Sequence, residues 1–453
     1  MAIETLLVLG ARGDLTERLL LPGLASLLAS DWELDQPPPL LVGAGRAEMT
    51  PVDWRQRVRA SFASAEVRGK RVTEAARRTR YVQTDVTQPA DLRRLLDACE
   101  GTPAIYFALP PSVAARACEA LKDVELPAGT MLVMEKPFGT DLAGARKLNQ
   151  LVSRLVPEKQ VFRVDHFLGR SDVLTVLGLR FGNRLLEPVW NRDHVQSIEI
   201  VYDEDLALEG RAGYYDHAGA LVDMIQSHLL QVMAVLMMEP IASLDERSFR
   251  DAKAAVLRAT RVRESSRTAA RRARYTAGRI GGRSVPAYTR EQGVDPARRT
   301  ETLAEVTFEV RNARWAGVPV TLRSGKALGA PRKEAVVTLS PVAHLPRGLT
   351  GEETADVITI GFKPPRLALR LNVSGEGDPF DLESSEVTAT LAPGALPAYG
   401  EVLAGVLACD PLLSVRGDVA EECWRIVAPV LKAFAADEVP METYPAGSGG
   451  PWQ

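Results

Sequence analysis

ETLLVLGARGDLTERLLLPG, residues 4–23, reads as one strand, one turn and one helix. Residues 4–10 are a short, almost unbroken apolar run, as expected of a strand buried on both faces. Gly10 and Gly13 then punctuate a turn. Leu19, Leu20, Leu24, Leu27 and Leu28 recur at helical spacing beyond it. Pro22 falls inside that pattern and predicts a kink or a division of the helix. The same alternation continues outward. PLLVGAGR (39–46), RYVQTDV (80–86), PAIYFALPP (103–111) and TMLVMEKPFG (130–139) are further strand candidates, with a helix over ADLRRLLDACE (90–100). Strands alternating with helices predict an open, mostly parallel sheet covered on both faces.

The pattern changes after about residue 165. A long helical run covers roughly 215–238. From about residue 300 come strand-like runs, among them ETLAEVTFEV, GVPVTLRSG, EAVVTLS, DVITIGF, LALRLNV and SEVTATL. These fit a larger, mainly antiparallel sheet. A last helix is expected over AEECWRIVAPVLKAF, and YPAGSGGPWQ reads as a loose tail. The expected fold class is α/β followed by α+β. A Rossmann-like dinucleotide-type domain spans 1–165, and a domain with a large, mainly antiparallel sheet spans 166–453.

Composition narrows the class. The 453 residues carry a net charge of −3, with 46% hydrophobic and 25% charged residues. This is ordinary for a soluble globular protein and excludes a globally basic nucleic-acid binder. Only 10 of the 55 basic residues are lysine, so each lysine is worth locating. Residues 253–299 hold 13 Lys or Arg against 3 Asp or Glu. Without interleaved aromatics or a binding motif, this stretch reads as a solvated helical face. Cys99, Cys118, Cys409 and Cys423 are widely spaced, with no C-x-x-C pair. They read as free thiols rather than a disulfide framework or zinc site. No signal-type start and no apolar run of membrane-spanning length is evident, so the cytoplasm is the expected compartment.

Several segments carry chemistry. A strand entering a glycine turn and a helix start makes an anion site, because backbone N–H groups and the positive helix end face the ligand. Gly10, Arg12, Gly13, Asp14 and Leu15 form this turn; an ordinary strand-to-helix connection would look similar. Arg46 ends the second strand, where an adenosine ribose is read in dinucleotide folds. An arginine there favours the 2′-phosphate of NADP. Lys136 ends another strand, where ligands bind open α/β sheets. His228 lies on the long helix, on the same α-helical face as Met224. A neutral imidazole near a carboxylate can take a hydroxyl proton during alcohol oxidation. A satisfied core histidine would carry the same sequence signature.

Taken together, the blocks resemble the glucose-6-phosphate dehydrogenase family. GARGDLTERLLLPGL resembles its G-A-S-G-D-L turn and helix. MEKPFGTDLAGARKLN resembles its E-K-P-F-G segment. RVDHFLGRSDVLTVLGLRFGN resembles its R-I-D-H-Y-L-G-K-E segment. EPVWNRDHVQSIEI, GRAGYYDHAGALVDMIQSHLLQ, RWAGVPVTLRSGKAL and YPAGSGGP resemble successive later blocks, in family order across nearly the whole chain. The resemblance implies oxidation of a hexose 6-phosphate at C1 with NADP, NAD being the alternative cofactor. It implies His228 as general base and Asp165 as its orienting carboxylate. It implies Lys136 as a lysine touching sugar and cofactor. His166, Arg170, Glu204, Asp223, Lys326, Arg332, Lys363 and Tyr399 fall on the substrate side. The cofactor turn is matched by Gly10, Arg12, Gly13, Asp14, Leu15 and Arg46. A homodimer or homotetramer is implied, with no metal, nucleic acid or membrane.

Departures cluster at the expected sugar-phosphate subsite. Arg170 replaces a lysine, Phe167 a tyrosine and Ser171 an acid; Lys363 replaces a glutamine. Arginine binds phosphate well, but its fork reaches differently from an ammonium. At the turn, Glu17 and Leu19 replace lysines and weaken the local positive field. Two other readings stay open: a related dehydrogenase for another hexose, amino sugar or sugar phosphate, and a non-catalytic sugar-phosphate-binding or regulatory relative.

Overall fold

A computed structural model describes residues 3–30, 37–351 and 354–452. The chain forms two compact units. The first takes Met1–Ser171, Ile241–Ala252 and Gly394–Glu422; the second takes Asp172–Pro240, Lys253–Pro393 and Cys423–Gln453.

The first unit is built on six parallel strands. They are β1 (Thr5–Leu9), β2 (Leu40–Gly45), β3 (Arg80–Gln83), β4 (Pro103–Phe107), β5 (Met131–Met134) and β6 (Val161–Arg163), in the order β3-β2-β1-β4-β5-β6. That order reverses between β1 and β4, which opens a crevice at the carboxyl ends of these two strands. Successive side chains feed opposite faces, as the pleat requires. Leu6, Val8, Leu41, Ala104, Tyr106 and Val133 join one core; Leu7, Leu9, Val42, Ile105, Phe107 and Leu132 join the other. β6, at three residues, is too short to leave a readable pattern. Pro22 does divide the first helix. A π-helical turn, Thr16–Leu20, precedes an α-helix, Leu21–Ala29, and Pro22 sits in the first turn of the latter, where a missing N–H costs least.

The second unit holds a small ribbon and a large sheet. Its strands are β7 (Val195–Asp203), β8 (Thr260–Val262), β9 (Ala270–Thr276), β10 (Gly278–Ile280), β11 (Arg283–Val285), β12 (Leu303–Val310), β13 (Pro319–Gly325), β14 (Lys333–Leu339), β15 (Thr350–Gly351), β16 (Val357–Phe362), β17 (Pro365–Ser374), β18 (Asp381–Thr390) and β19 (Met441–Pro445). Strands β10 and β11 form the ribbon. The large sheet runs β15-β18-β17-β16-β14-β7-β13-β12-β9-β19, with β8 also on β12. Most pairs are antiparallel, but β7 with β13, β9 with β19 and β15 with β18 are parallel.

Three expectations are corrected here. The arginine-rich stretch is not a helical face along its length. It contains β8 and β9, and its arginines meet acids: Arg271 with Glu305, Arg272 and Arg299 with Asp437. The tail is not loose, because β19 pairs with β9 and the Gly447 and Gly329 amides bond to Ala327 and Ser448 carbonyls. Ala212–Met237 does reach membrane-spanning length and apolarity, but 89% of its most apolar stretch is buried, as in a core helix. It is a succession of helical segments rather than one run: Ala212–Ala220, Leu221–Leu229 and Leu230–Met237.

Candidate active site

The crevice of the first unit is shaped by backbone. Gly10 has φ +90°, and a Cβ there would lie 2.0 Å from the Ala108 carbonyl oxygen. Only glycine lets the chain turn this close to β4. The Gly13 amide bonds to Gly10 O at 2.9 Å, and Thr16 Oγ1 donates to the same carbonyl. The cavity beside the turn measures about 610 Å³ and is lined by Gly10, Arg12, Gly13, Arg46, Thr84–Thr87 and Arg116 among others. A cradle that a side chain would fill, opening on a cavity of this size, fits a dinucleotide. Asp14 points outward and pairs with Arg18; Leu15 is half-buried against the core. Glu17 pairs with Arg57, which also donates to the Arg12 carbonyl. Its charge is thereby opposed locally, and it pins the turn. Leu19 is exposed.

At the end of β5, Glu135 and Lys136 leave the strand together. The Tyr106 hydroxyl donates to Glu135 Oε1 at 2.5 Å, and the Tyr399 hydroxyl also bonds to Glu135. Burial raises the Glu135 pKa, opposed by Tyr106 and the Lys136 charge. Glu135 stands in the E-K-P-F-G segment, but its partners Tyr106 and Tyr399 are not legible there, because strands β4 and β5 and a residue some 260 positions later meet here. Tyr399 begins the helix Ala398–Leu407, which packs on Leu21–Ala29 where Gly23 faces Tyr399 and Gly400. Its ring stacks on His166 at 5.9 Å.

Asp165 is buried, and its Oδ1 accepts from the Phe167 amide at 3.0 Å. This local turn fixes His166 and Phe167. Phe167 is buried against the His166 ring, with the Arg170 guanidinium 5.3 Å from its centroid. The Ser171 hydroxyl accepts from the Gly394 amide at 2.9 Å. The first unit thus gathers Lys136, Asp165, His166, Arg170 and Tyr399 around β5, β6 and one later helix.

The second unit holds the rest. The helix breaks at Gly219, with φ 65° and ψ 177°. A Cβ there would lie 2.3 Å from a Glu301 carboxylate oxygen, and Glu301 Oε1 accepts from the Leu221 amide at 3.0 Å. Glu301 is therefore the cap of the segment Leu221–Leu229, which winds as a π-helix. The Leu230 amide reaches back to Ile225 O, five residues earlier. In an α-helix Asp223 and His228 would point roughly 140° apart. The wider winding brings residues five apart nearer one face. Asp223 is thus brought nearer the face that His228 already shares with Met224. Both are buried, and the Tyr214 hydroxyl bonds to Asp223. Burial pushes the Glu301 carboxyl up to about 7, against the amide bond and the charges of Arg272 and Arg274.

Sheet pairing positions the remaining residues. Parallel β7 and β13 place Asp203 beside Gly325. The next residues, Glu204 and Lys326, consequently meet, Nζ to Oε2 at 2.5 Å. Lys326 Nζ lies 5.1 Å from the Tyr215 ring centroid. Beneath them, buried Asp203 pairs with Arg323 at 3.2 Å, and burial lifts Asp203 to about 6. Arg332 precedes β14 at the same sheet end but is engaged by Glu199 at 2.6 Å and Glu334 at 2.9 Å. Lys363 is exposed between β16 and β17. It stands three strands from Lys326 in sheet order, roughly 14 Å by the usual strand spacing. Glu204 and Lys326 are brought together; Arg332 and Lys363 line up along the edge instead.

Residues 7–174 match the family model described as the NAD-binding domain of glucose-6-phosphate dehydrogenase, and residues 177–453 match its C-terminal domain. The chain belongs to the glucose-6-phosphate dehydrogenase family. A relative from Gluconobacter oxydans, named glucose-6-phosphate 1-dehydrogenase, is 38% identical over 98% of this chain and 94% of its own length. One of the same name from Rhizobium meliloti is 34% identical over the same shares. A solved structure from Mycobacterium avium superposes with TM-score 0.84 at 31% identity, covering 100% of this chain and 96% of that one. A solved glucose-6-phosphate dehydrogenase bound to glucose 6-phosphate gives 0.86 at 27% identity, with the same coverage. Membership carries the α/β and α+β architecture and a nicotinamide dinucleotide as the family's cofactor class.

Proposed function

We propose that the protein oxidises D-glucose 6-phosphate at C1 to 6-phospho-D-glucono-1,5-lactone with NADP, the entry to the oxidative pentose phosphate pathway. The observation that carries this reading is similarity along 98% of the chain to relatives named for that reaction. When bound, the nicotinamide ring supplies the hydride acceptor. The chain's own residues do the rest. His228 takes the C1 hydroxyl proton, and Asp165 supplies the carboxylate that balances the imidazolium. Asp223, Glu204 and Lys326 bind sugar hydroxyls, and His166 and Arg170 bind the phosphate. Tyr399 and Glu135 hold the end of β5, from which Lys136 reaches sugar and cofactor. Gly10, Gly13, Asp14, Leu15 and Arg12 form the phosphate turn, and Arg46 reads the 2′-phosphate. Arg332 and Lys363 extend the basic edge of the sugar side.

Residues 1–165 act as the dinucleotide domain, and 166–453 as the substrate and dimerisation domain. Exposed Leu371, Val373 and Val387 on the outer strands of the large sheet support a homodimer or homotetramer. The Arg170–Phe167 stack favours one second reading, a related phosphorylated sugar as substrate. Initial rates of cofactor reduction at 340 nm with a sugar-phosphate panel and both cofactors decide. Glucose 6-phosphate with NADP is expected to give the highest kcat/KM. A higher value with another sugar phosphate would replace the substrate, and no reduction with any would leave only binding.

A further inference from the structure

Three arginines converge on the 610 Å³ cavity of the first unit from separate elements. Arg12 comes from the β1 turn and Arg46 from the end of β2. Arg116 comes from the opposite wall, on the helix Pro111–Leu121 that follows β4. All three are exposed. Among the described residues, none of the three guanidinium groups donates a hydrogen bond or forms an ion pair. Their neighbours behave differently: Arg57 is paired with Glu17, and Arg94 with Asp91. The backbone around them is pinned. Gln83 Nε2 donates to Arg46 O at 3.0 Å, and the Tyr81 hydroxyl donates to Ala47 O at 2.6 Å. A fixed frame thus carries three uncommitted cations.

The charge in this cavity is unbalanced. Asp85 is the acid lining it, and its carboxylate already accepts from the Thr87 amide and hydroxyl. Arg46 and Arg116 both act on Asp85 and help hold its carboxyl below the ordinary range, after the Thr87 hydrogen bonds. The two guanidinium groups therefore face the same loop at the end of β3. A phosphate monoester carries close to two negative charges at neutral pH, more than one guanidinium neutralises. Two planar forks from opposite walls match its three oxygens better than one.

We propose that Arg116 is a second reader of the adenosine 2′-phosphate, closing on it from the wall opposite Arg46. Resting on the dinucleotide reading above, this deepens it from a single arginine to a two-sided clamp. NADP preference then depends on β4's helix as well as on the end of β2.

The test is isothermal titration of the full chain with 2′,5′-ADP and with 5′-AMP, which differ only by the 2′-phosphate. Arg116 is exposed and without a protein partner among the described residues, so Arg116→Gln should fold normally, checked by its unchanged melting temperature. The variant should bind 2′,5′-ADP about 10-fold more weakly, the loss of one charge-assisted contact, and 5′-AMP within about 2-fold. Arg46→Gln serves as reference and should show the same selective loss. Equal weakening of both ligands, or no weakening of either, overturns the proposal while leaving the dehydrogenase reading standing. A wild-type chain that binds neither ligand overturns the dinucleotide reading and this inference together.

Discussion

Glu301 should control both the shape of the helix that bears His228 and the pH dependence of stability. Its Oε1 accepts from the Leu221 amide at 3.0 Å, at the break where Gly219 leaves the helix. Glu301→Ala removes that acceptor and leaves a buried amide without its partner. Loss of a cap costs about 0.5–2 kcal/mol, and an unsatisfied buried donor about 1–3 kcal/mol. A loss of about 2 kcal/mol is expected near pH 4.5, where the folded carboxyl still holds its proton, and it should shrink as pH rises toward 7. A shift of the π-helical turn should also lower kcat, since a small misplacement can cost about 100-fold. Glu301→Gln keeps an oxygen acceptor and should retain most of the activity.

The pH dependence follows from burial. The carboxyl titrates near 4.5 when exposed and at about 7 in the fold. The folded state therefore holds its proton longer than the unfolded chain. Stability from this group is complete below about pH 4.5 and is lost as pH rises through about 7. The lost amount is on the order of 3 kcal/mol. Glu301→Gln should flatten the fall in melting temperature between pH 5 and 8, read by differential scanning calorimetry. An unchanged slope in Glu301→Gln, or wild-type stability and kcat in Glu301→Ala, would refute this account of the cap.

Two further predictions concern the pockets. Gly10→Ala should abolish measurable dinucleotide binding by titration and lower stability by about 2 kcal/mol or more, since its Cβ would overlap the Ala108 carbonyl at a left-handed φ. Binding at wild-type affinity would mean the turn is not the cradle. Lys326→Met removes the partner of Glu204 and should raise the KM for sugar phosphate about 10–100-fold in steady-state assays, with cofactor affinity unchanged. A loss confined to cofactor binding would contradict the assignment.

Local pattern showed the nucleotide unit clearly. The apolar run of β1 and the glycines after it are readable because a buried strand and a tight turn leave local signatures. The break at Gly219 is not readable that way, because the residue that stabilises it lies some 80 positions later. The π winding of Leu221–Leu229 likewise leaves no trace in apolar spacing, so spacing alone does not bring Asp223 toward the face of His228 and Met224. Glu204 and Lys326 meet only because β7 and β13 run parallel, which strand-like composition does not reveal. The Glu135–Tyr106–Tyr399 cluster joins three distant segments. The arginines around β9 resemble a solvated helix until their acids, Glu305 and Asp437, are seen across the sheet.

The central claim is that His228 is the base in oxidation of glucose 6-phosphate. Its most direct test is the initial rate of NADPH formation at 340 nm for the wild type and His228→Asn, at saturating glucose 6-phosphate and NADP. The wild type should reduce NADP, and the variant should lose about 10²–10⁴-fold in kcat while still binding glucose 6-phosphate. A variant as fast as the wild type would contradict the claim.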